Sequence, residues 1–283
     1  MNESLRVATC QFPVSGDPLQ NGRYVRRFMR EAGAQGAGVV HFSEAPLSGY
    51  GGWDIPDFGD YDWEALRRET SAIQGLAQEL ALWVILGSAH YLNETEKPTN
   101  CLYVIDRSGS IVDRYDKSML TDGDKAHYTP GDHLVTLTLN GIRCGLLICY
   151  DSCFPEMYNV YRHSGVQLMF HSFYNARFNE PNILDEFMPA QIQCRAADNV
   201  MWVVANNSSA RHSCWSARFV RPDGSVASQL RRHVPDILYH DFPDPTLKGW
   251  IHNNKMMKLA TDEVYHNGTP SQHPRAKDRA ALP

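Results

Sequence analysis

Residues 145–156 read GLLICYDSCFPE, an apolar, strand-like run that delivers Cys149 into a polar turn and then into a proline-initiated helix. A cysteine becomes a working nucleophile when a base takes its proton and a positive charge, or a set of N–H groups, holds the anion that follows. The end of a strand that turns into a helix gathers such groups, because free backbone N–H donors and the helix dipole both favour negative charge. An anion formed at Cys149 is therefore favoured by its position. Taken alone, the same residue reads first as a small buried hydrophobe. Cys144 and Cys149 lie an odd number of positions apart on a strand, so they point to opposite faces and cannot share a metal.

Two further strand ends carry ionisable residues that an apolar core would not select. VVHFSEAPLSGY presents Glu44 and IVDRYDKSML presents Lys117. A carboxylate, an ammonium and a thiol are the groups needed to activate a sulfur nucleophile and to hold a developing oxyanion. Zinc on Cys144, Cys149 and Cys153 has the wrong spacing for a ribbon or finger. None of the 12 histidines falls in an HxxxH or HxH pattern, so no metal is expected.

In order and local context, these three segments resemble the signature segments of the carbon-nitrogen hydrolase family, the nitrilase superfamily. The resemblance extends through YTPGD (128–132), RAADNVMWVVANN (195–207) and SARFVRPDGSV (216–226), covering the chain to about residue 230. It implies an α/β fold, a four-layer α-β-β-α sandwich, commonly dimeric through paired helices, with no cofactor. By position it implies Glu44 as general base and acid, Lys117 as the oxyanion cation and Cys149 as nucleophile, with the N–H of Tyr150 as a second oxyanion donor. Members usually carry another glutamate before the PG pair, and that place falls on Asp124, which reads otherwise as a loop turn-former. The sequence also has KSML where a histidine often follows the lysine, and FSE where FPE is usual. The pair after the cysteine, Tyr150-Asp151, is that of amidases and carbamoylases rather than nitrilases.

The implied reaction is thiol-dependent hydrolysis of a linear amide or N-carbamoyl (ureido) compound, with release of ammonia. The alternatives are a nitrilase, an acyl transferase or a catalytically silent scaffold. The stretch FHSFYNARFNEP offers Phe173, Asn175 and Arg177 to a substrate, Arg177 as a bidentate partner for a carboxylate. Tyr50 and Tyr150 are further candidates for the pocket, Tyr50 reading also as a core aromatic.

These residues need a framework to position them, and the hydrophobic periodicity describes one. Strands are expected at RVATCQF (6–12) and GVVHFSE (38–44), with a helix between them whose apolar face is Tyr24, Val25, Phe28, Met29 and Ala32. A second helix, capped at Asp62, presents Ile73, Leu76, Ala77 and Leu80 and leads into the strand LWVILGSAHYL. CLYVIDRSGSIVDRYDK reads as an antiparallel hairpin. LVTLTL, IRCGLLICY, VQLMFHS, VMWVVANNSS, SARFVRPDGSVAS and DILYHDF supply further strands. Helices fall at FPEMYNVYRHSG and, despite Pro189, at ILDEFMPAQIQCRAADN.

The chain has 283 residues, 43% of them hydrophobic, enough for a sizeable core in one domain, expected over 1–263 with a polar arm at 264–283. A net charge of -5 without long single-sign runs excludes the basic stripe that nucleic acid or an anionic membrane would select. No apolar run approaches a bilayer span and the N-terminus lacks a signal-peptide pattern. The 7 scattered cysteines suit reduced thiols, and the expected setting is the cytoplasm, with a small-molecule substrate and a homodimer or higher homo-oligomer.

Overall fold

The computed structural model describes residues 4–177, 181–242 and 272, and the expected boundary at 263/264 lies outside them. In chain order the elements are β1 (Leu5–Gln11), α1 (Pro18–Ala34), β2 (Val39–Phe42), α2 (Trp63–Leu80), β3 (Trp83–His90), β4 (Thr99–Ile105) and β5 (Ile111–Asp116). There follow α3 (Asp122–His127), β6 (Thr136–Leu139), β7 (Ile142–Ile148), a 3-10 turn at Cys149–Cys153, α4 (Pro155–His163) and β8 (Leu168–Ser172). The described part closes with α5 (Leu184–Asn199), β9 (Trp202–Asn206), β10 (Arg218–Val220), β11 (Val226–Gln229) and β12 (Asp236–Phe242).

Local chemistry sets the helix starts. Asp62 accepts from Ala65 N at 2.8 Å, as the sequence led us to expect, and Asp17 likewise accepts from Leu19 N at 2.8 Å ahead of Pro18. Helix α5 tolerates Pro189 near its start, where the missing N–H removes one backbone hydrogen bond. Helix α3 corrects the reading of TDGDKAH as a loop. Thr121 and Asp124 form a capping box, each side chain bonding the other's backbone N–H at 3.0 Å, and that closes a short helix the periodicity is too brief to reveal.

The strands form two six-stranded sheets, ordered β12-β1-β2-β3-β4-β5 and β11-β10-β9-β8-β7-β6. Their central pairs, β1-β2-β3 and β7-β8-β9, are parallel and the outer pairs antiparallel. Parallel strands covered on both faces read as unbroken apolar runs. Alternation along β1 and β2 then sorts residues between two cores. Ala8, Cys10, Val40 and Phe42 meet Val25, Phe28 and Met29 of α1 and Ile73 and Leu76 of α2. Leu5, Val7 and Val39 face the second sheet, in a core that continues through Leu146, Ile148 and Phe170 to Tyr158 of α4 and Ile192 of α5. The layers run helix, sheet, sheet, helix, so the expected four-layer sandwich is borne out. Among the described residues no helix is long and apolar enough to cross a membrane.

A polar seam crosses the sandwich. His41 contacts Ser172 Oγ at 2.9 Å through Nε2 and Thr9 Oγ1 at 3.2 Å through Nδ1, while Asn206 Nδ2 donates to Cys10 O at 2.8 Å and to His41 O at 3.0 Å. Burial lowers the His41 pKa from 6.5 to about 3. The unfolded chain therefore binds a proton below pH 6.5 that the folded chain refuses, so this imidazole subtracts stability as pH falls through that window. Urea unfolding should lose about 2–3 kcal/mol between pH 6.5 and 4.5 through His41. His41→Asn should flatten that part of the profile; an unchanged slope refutes the assignment.

Candidate active site

Glu44 follows β2 in a turn that lies directly on β3. Gly87 makes this approach feasible, since a Cβ there would stand 2.3 Å from Ser43 O and 2.8 Å from Ala45 N. Glu44 N also donates to Phe173 O at 3.2 Å, tying the turn to the end of β8 in the other sheet. Lys117 follows β5, with its N–H on Asn100 O at 2.8 Å and its carbonyl accepting from Gly131 N at 2.9 Å. Gly131 is the glycine of YTPGD, and a Cβ there would meet Asp116 O at 2.3 Å. That segment is thus the brace behind the lysine.

Lys117 is fully buried, and its Nζ donates to Glu44 Oε1 and to Asp124 Oδ2, both at 2.8 Å. Asn100 Nδ2 donates to the same Glu44 oxygen at 2.8 Å, and the Tyr50 hydroxyl donates to Asp124 Oδ1. Glu44 Oε2 is buried without a hydrogen-bond partner among the described residues. Desolvation pulls the Lys117 pKa down, but the charge of Glu44, with Tyr50, Cys149 and Asp124, outweighs it and holds the ammonium well above its ordinary value. Burial raises the Glu44 pKa against the pull of Lys117. Burial also opposes ionisation of Asp124, yet Lys117 and the hydrogen bonds from Tyr50 and Thr121 N keep that carboxylate below its ordinary value.

Cys149 begins the 3-10 turn with φ +45, a left-handed conformation that costs a residue carrying a Cβ. Asp151 holds it there. Its carboxylate accepts from Ile148 N at 2.8 Å, from the Tyr115 hydroxyl at 2.7 Å and from Met119 N at 2.9 Å, so it joins the cysteine turn to the loop after Lys117. Asn175 Nδ2 reaches Cys149 Sγ at 3.6 Å, and Trp215 Nε1 donates to Asn175 Oδ1 at 3.0 Å, which fixes the amide with its donor toward sulfur. Burial pushes the Cys149 thiol well above its ordinary value, Glu44 adds to the rise and Lys117 opposes it. Desolvation thus outweighs the donors at the turn and disfavours ionisation of the thiol.

Tyr50, Asp124, Cys149, Tyr150 and Asn175 all line one cavity of about 600 Å³, and Glu44 and Lys117 lie buried behind Asp124. Tyr50 serves both of its readings, being buried and stacked on Tyr174 at 4.8 Å while facing the cavity. Phe173 and Arg177 depart from expectation as substrate contacts. The Phe173 ring is fully buried, stacked on His171 at 4.1 Å and edge-on to Trp215 at 4.9 Å, so it belongs to the core. Arg177 pairs with Asp54 at 2.7 Å and donates to the Tyr174 hydroxyl at 2.8 Å and to Val14 O at 2.9 Å, so its guanidinium is already engaged.

Sequence reasoning missed Asn100, Asp54 and Trp215, whose partners lie far off in the chain. It used Asp151 only as a marker beside the cysteine. Among the described residues no three or more His, Cys, Asp or Glu cluster as metal ligands.

The carbon-nitrogen hydrolase family model matches residues 6–252. The chain belongs to the carbon-nitrogen hydrolase family. The omega-amidase NIT2 of Homo sapiens is 28% identical to this carbon-nitrogen hydrolase over 240 residues, 80% of this chain and 84% of that protein. The deaminated glutathione amidase of Bos taurus is 28% identical over 284 residues, 84% of this chain and 82% of that protein. An amidase from Nesterenkonia sp. superimposes with a TM-score of 0.74 at 22% identity, over 86% of this chain and 92% of that one, and shares the fold.

The buried ion cluster makes a specific demand on stability. Asp124→Ala leaves Lys117 with one carboxylate in a desolvated site, and unfolding measurements should show a loss of about 3–5 kcal/mol. Asp122→Ala, at an exposed position on the same helix, should leave the urea midpoint where it is.

Proposed function

We propose that this carbon-nitrogen hydrolase is a thiol-dependent amidohydrolase that cleaves the C–N bond of a linear amide through a Cys149 thioester and releases ammonia. The observation that carries the proposal is the division of labour on Glu44. One oxygen is held by Lys117 and Asn100, and the other is buried and unpaired within electrostatic reach of Cys149. A carboxylate so arranged has one oxygen fixed in place and one ready to accept a proton.

In the proposed cycle Cys149 Sγ attacks the amide carbon as Glu44 Oε2 takes its proton, so no standing thiolate is required. The oxyanion forms against the Lys117 ammonium and the N–H of Tyr150. Glu44 returns the proton to the departing nitrogen, the C–N bond breaks and ammonia leaves. Water then gives a proton to Glu44 and attacks the thioester, and the carboxylic acid departs as sulfur is reprotonated. Asn175 supports the sulfur throughout, and Asp124 acts by positioning Lys117. Mutants of the Nesterenkonia amidase have been solved in complex with butyramide and with covalent addition at the active site cysteine, which supports the same chemistry by analogy of fold. Assembly as a homodimer in the cytoplasm is part of this reading.

Intact-mass measurement with short amides should show an acyl adduct mapping to Cys149, with ammonia release abolished in Cys149→Ala and reduced about 10²- to 10⁴-fold in Glu44→Gln. Conversion of nitriles to acids, or acyl transfer to an added amine faster than to water, would redirect the assignment to the corresponding branch. Absence of adduct and of ammonia across amides and N-carbamoyl compounds would favour a silent scaffold.

The pH profile has a fixed sign. Activity needs Glu44 ionised, and burial places its pKa above 4.5, so the acidic limb of kcat/KM should fall with a midpoint above that value. Cys149 and Lys117 are both held well above their ordinary values of 9.0 and 10.5, so the rate should persist past pH 9. An alkaline limb at neutral pH would contradict this electrostatic picture.

A further inference from the structure

The cavity that holds Cys149 has a composition that selects among amides. Its polar side chains are Thr121, Asp124, His127, Cys149 and Asn175, and aromatic and aliphatic side chains form most of the rest of the wall. Trp53, Tyr150 and Phe187 are large apolar residues that remain partly exposed, and Leu184 and Met188 of α5 continue the lining inward. Exposed apolar residues grouped at the mouth of a concave site mark the surface a ligand covers.

The charges complete the picture. Glu44 and Asp124 flank the single ammonium of Lys117, so the reacting end already carries more carboxylate than cation. A substrate bearing its own carboxylate needs a further cation, because an unpaired buried charge is costly. Among the described residues that line the cavity there is no arginine or lysine, the one imidazole, His127, packs against Gly51 and Gly52, and Lys117 behind the wall is committed to its two carboxylates. Lys125 lines a neighbouring groove, where it pairs with Asp122, and Arg177 is held by Asp54. At about 30 Å³ per water in the liquid, a cavity of about 600 Å³ holds about twenty waters. That is room for an acyl group well beyond acetyl.

We propose that the acyl group accepted here is uncharged and apolar, that of an alkyl or aryl-alkyl amide, with its tail lying against Trp53, Tyr150 and Phe187. This rests on the amidase reading above and names its substrate class.

The test compares kcat/KM across the straight-chain amides from acetamide to hexanamide, with 3-phenylpropanamide. A matched pair is added, succinamate and its neutral isostere 4-methylpentanamide. The expected result is a rise of about fourfold per methylene until the wall is filled, and a preference of about 100-fold for 4-methylpentanamide over succinamate. The gain per methylene should shrink in Phe187→Ala and in Trp53→Ala. Equal or better turnover of succinamate, or an unaltered chain-length dependence in both variants, overturns the proposal and leaves the amidase reading standing. Failure of every amide, charged or neutral, to acylate Cys149 or release ammonia overturns both.

Discussion

A fully buried ammonium organises this molecule. Lys117 has no access to water, and desolvation of a cation is tolerated only when anions and good hydrogen-bond geometry replace its hydration shell. Two carboxylates do so here, and they arrive from separate parts of the chain, Glu44 after β2 and Asp124 within α3. Each is constrained in turn. Glu44 is gripped by Asn100 and by the backbone at Phe173, while Asp124 is gripped by Tyr50 and by the capping box that makes α3 a helix at all. The ends of the first sheet are thereby fixed relative to one another by one charge.

The nucleophile comes from the other sheet, and the two halves meet through devices that resist sliding. Asp151 bonds the backbone before Cys149 and the loop after Lys117 at once, so the strained turn and the ion cluster share an anchor. Trp215 and Asn207 brace Asn175, whose amide faces the sulfur, and the His41–Ser172 and Asn206 contacts pin the sheets beneath. Buried polar networks of this kind are costly when incomplete and rigid when satisfied. The raised pKa of Cys149 follows from the same enclosure. Burial raises the cysteine and the glutamate together.

Arg177 and Phe173 show where local reading stops. Arg177 sits in a loop that follows a strand, and its chemistry would suit a carboxylate, yet Asp54 claims it from a distant part of the sequence. Phe173 lies one residue beyond β8, where strand alternation no longer applies, and the neighbouring His171 and Trp215 rings decide that it packs inward. Helix α3 was hidden for a different reason. Six residues carry too little periodicity, although the Thr121-x-x-Asp124 spacing is itself a start signal.

The sequence by itself determined most of the strand and helix order, the capped start at Asp62, and the three segments that bring a carboxylate, an ammonium and a thiol to strand ends. Those features depend on residues near one another in the chain, and periodicity and motif spacing report them directly. Tertiary structure alone decided that β12 pairs with β1, that Lys117 has two anionic partners, that burial raises the Cys149 thiol and that Trp53, Tyr150 and Phe187 meet in one cavity wall. Each of these depends on desolvation or on contacts between distant segments, and burial sets how strongly the charges interact and which way each pKa moves.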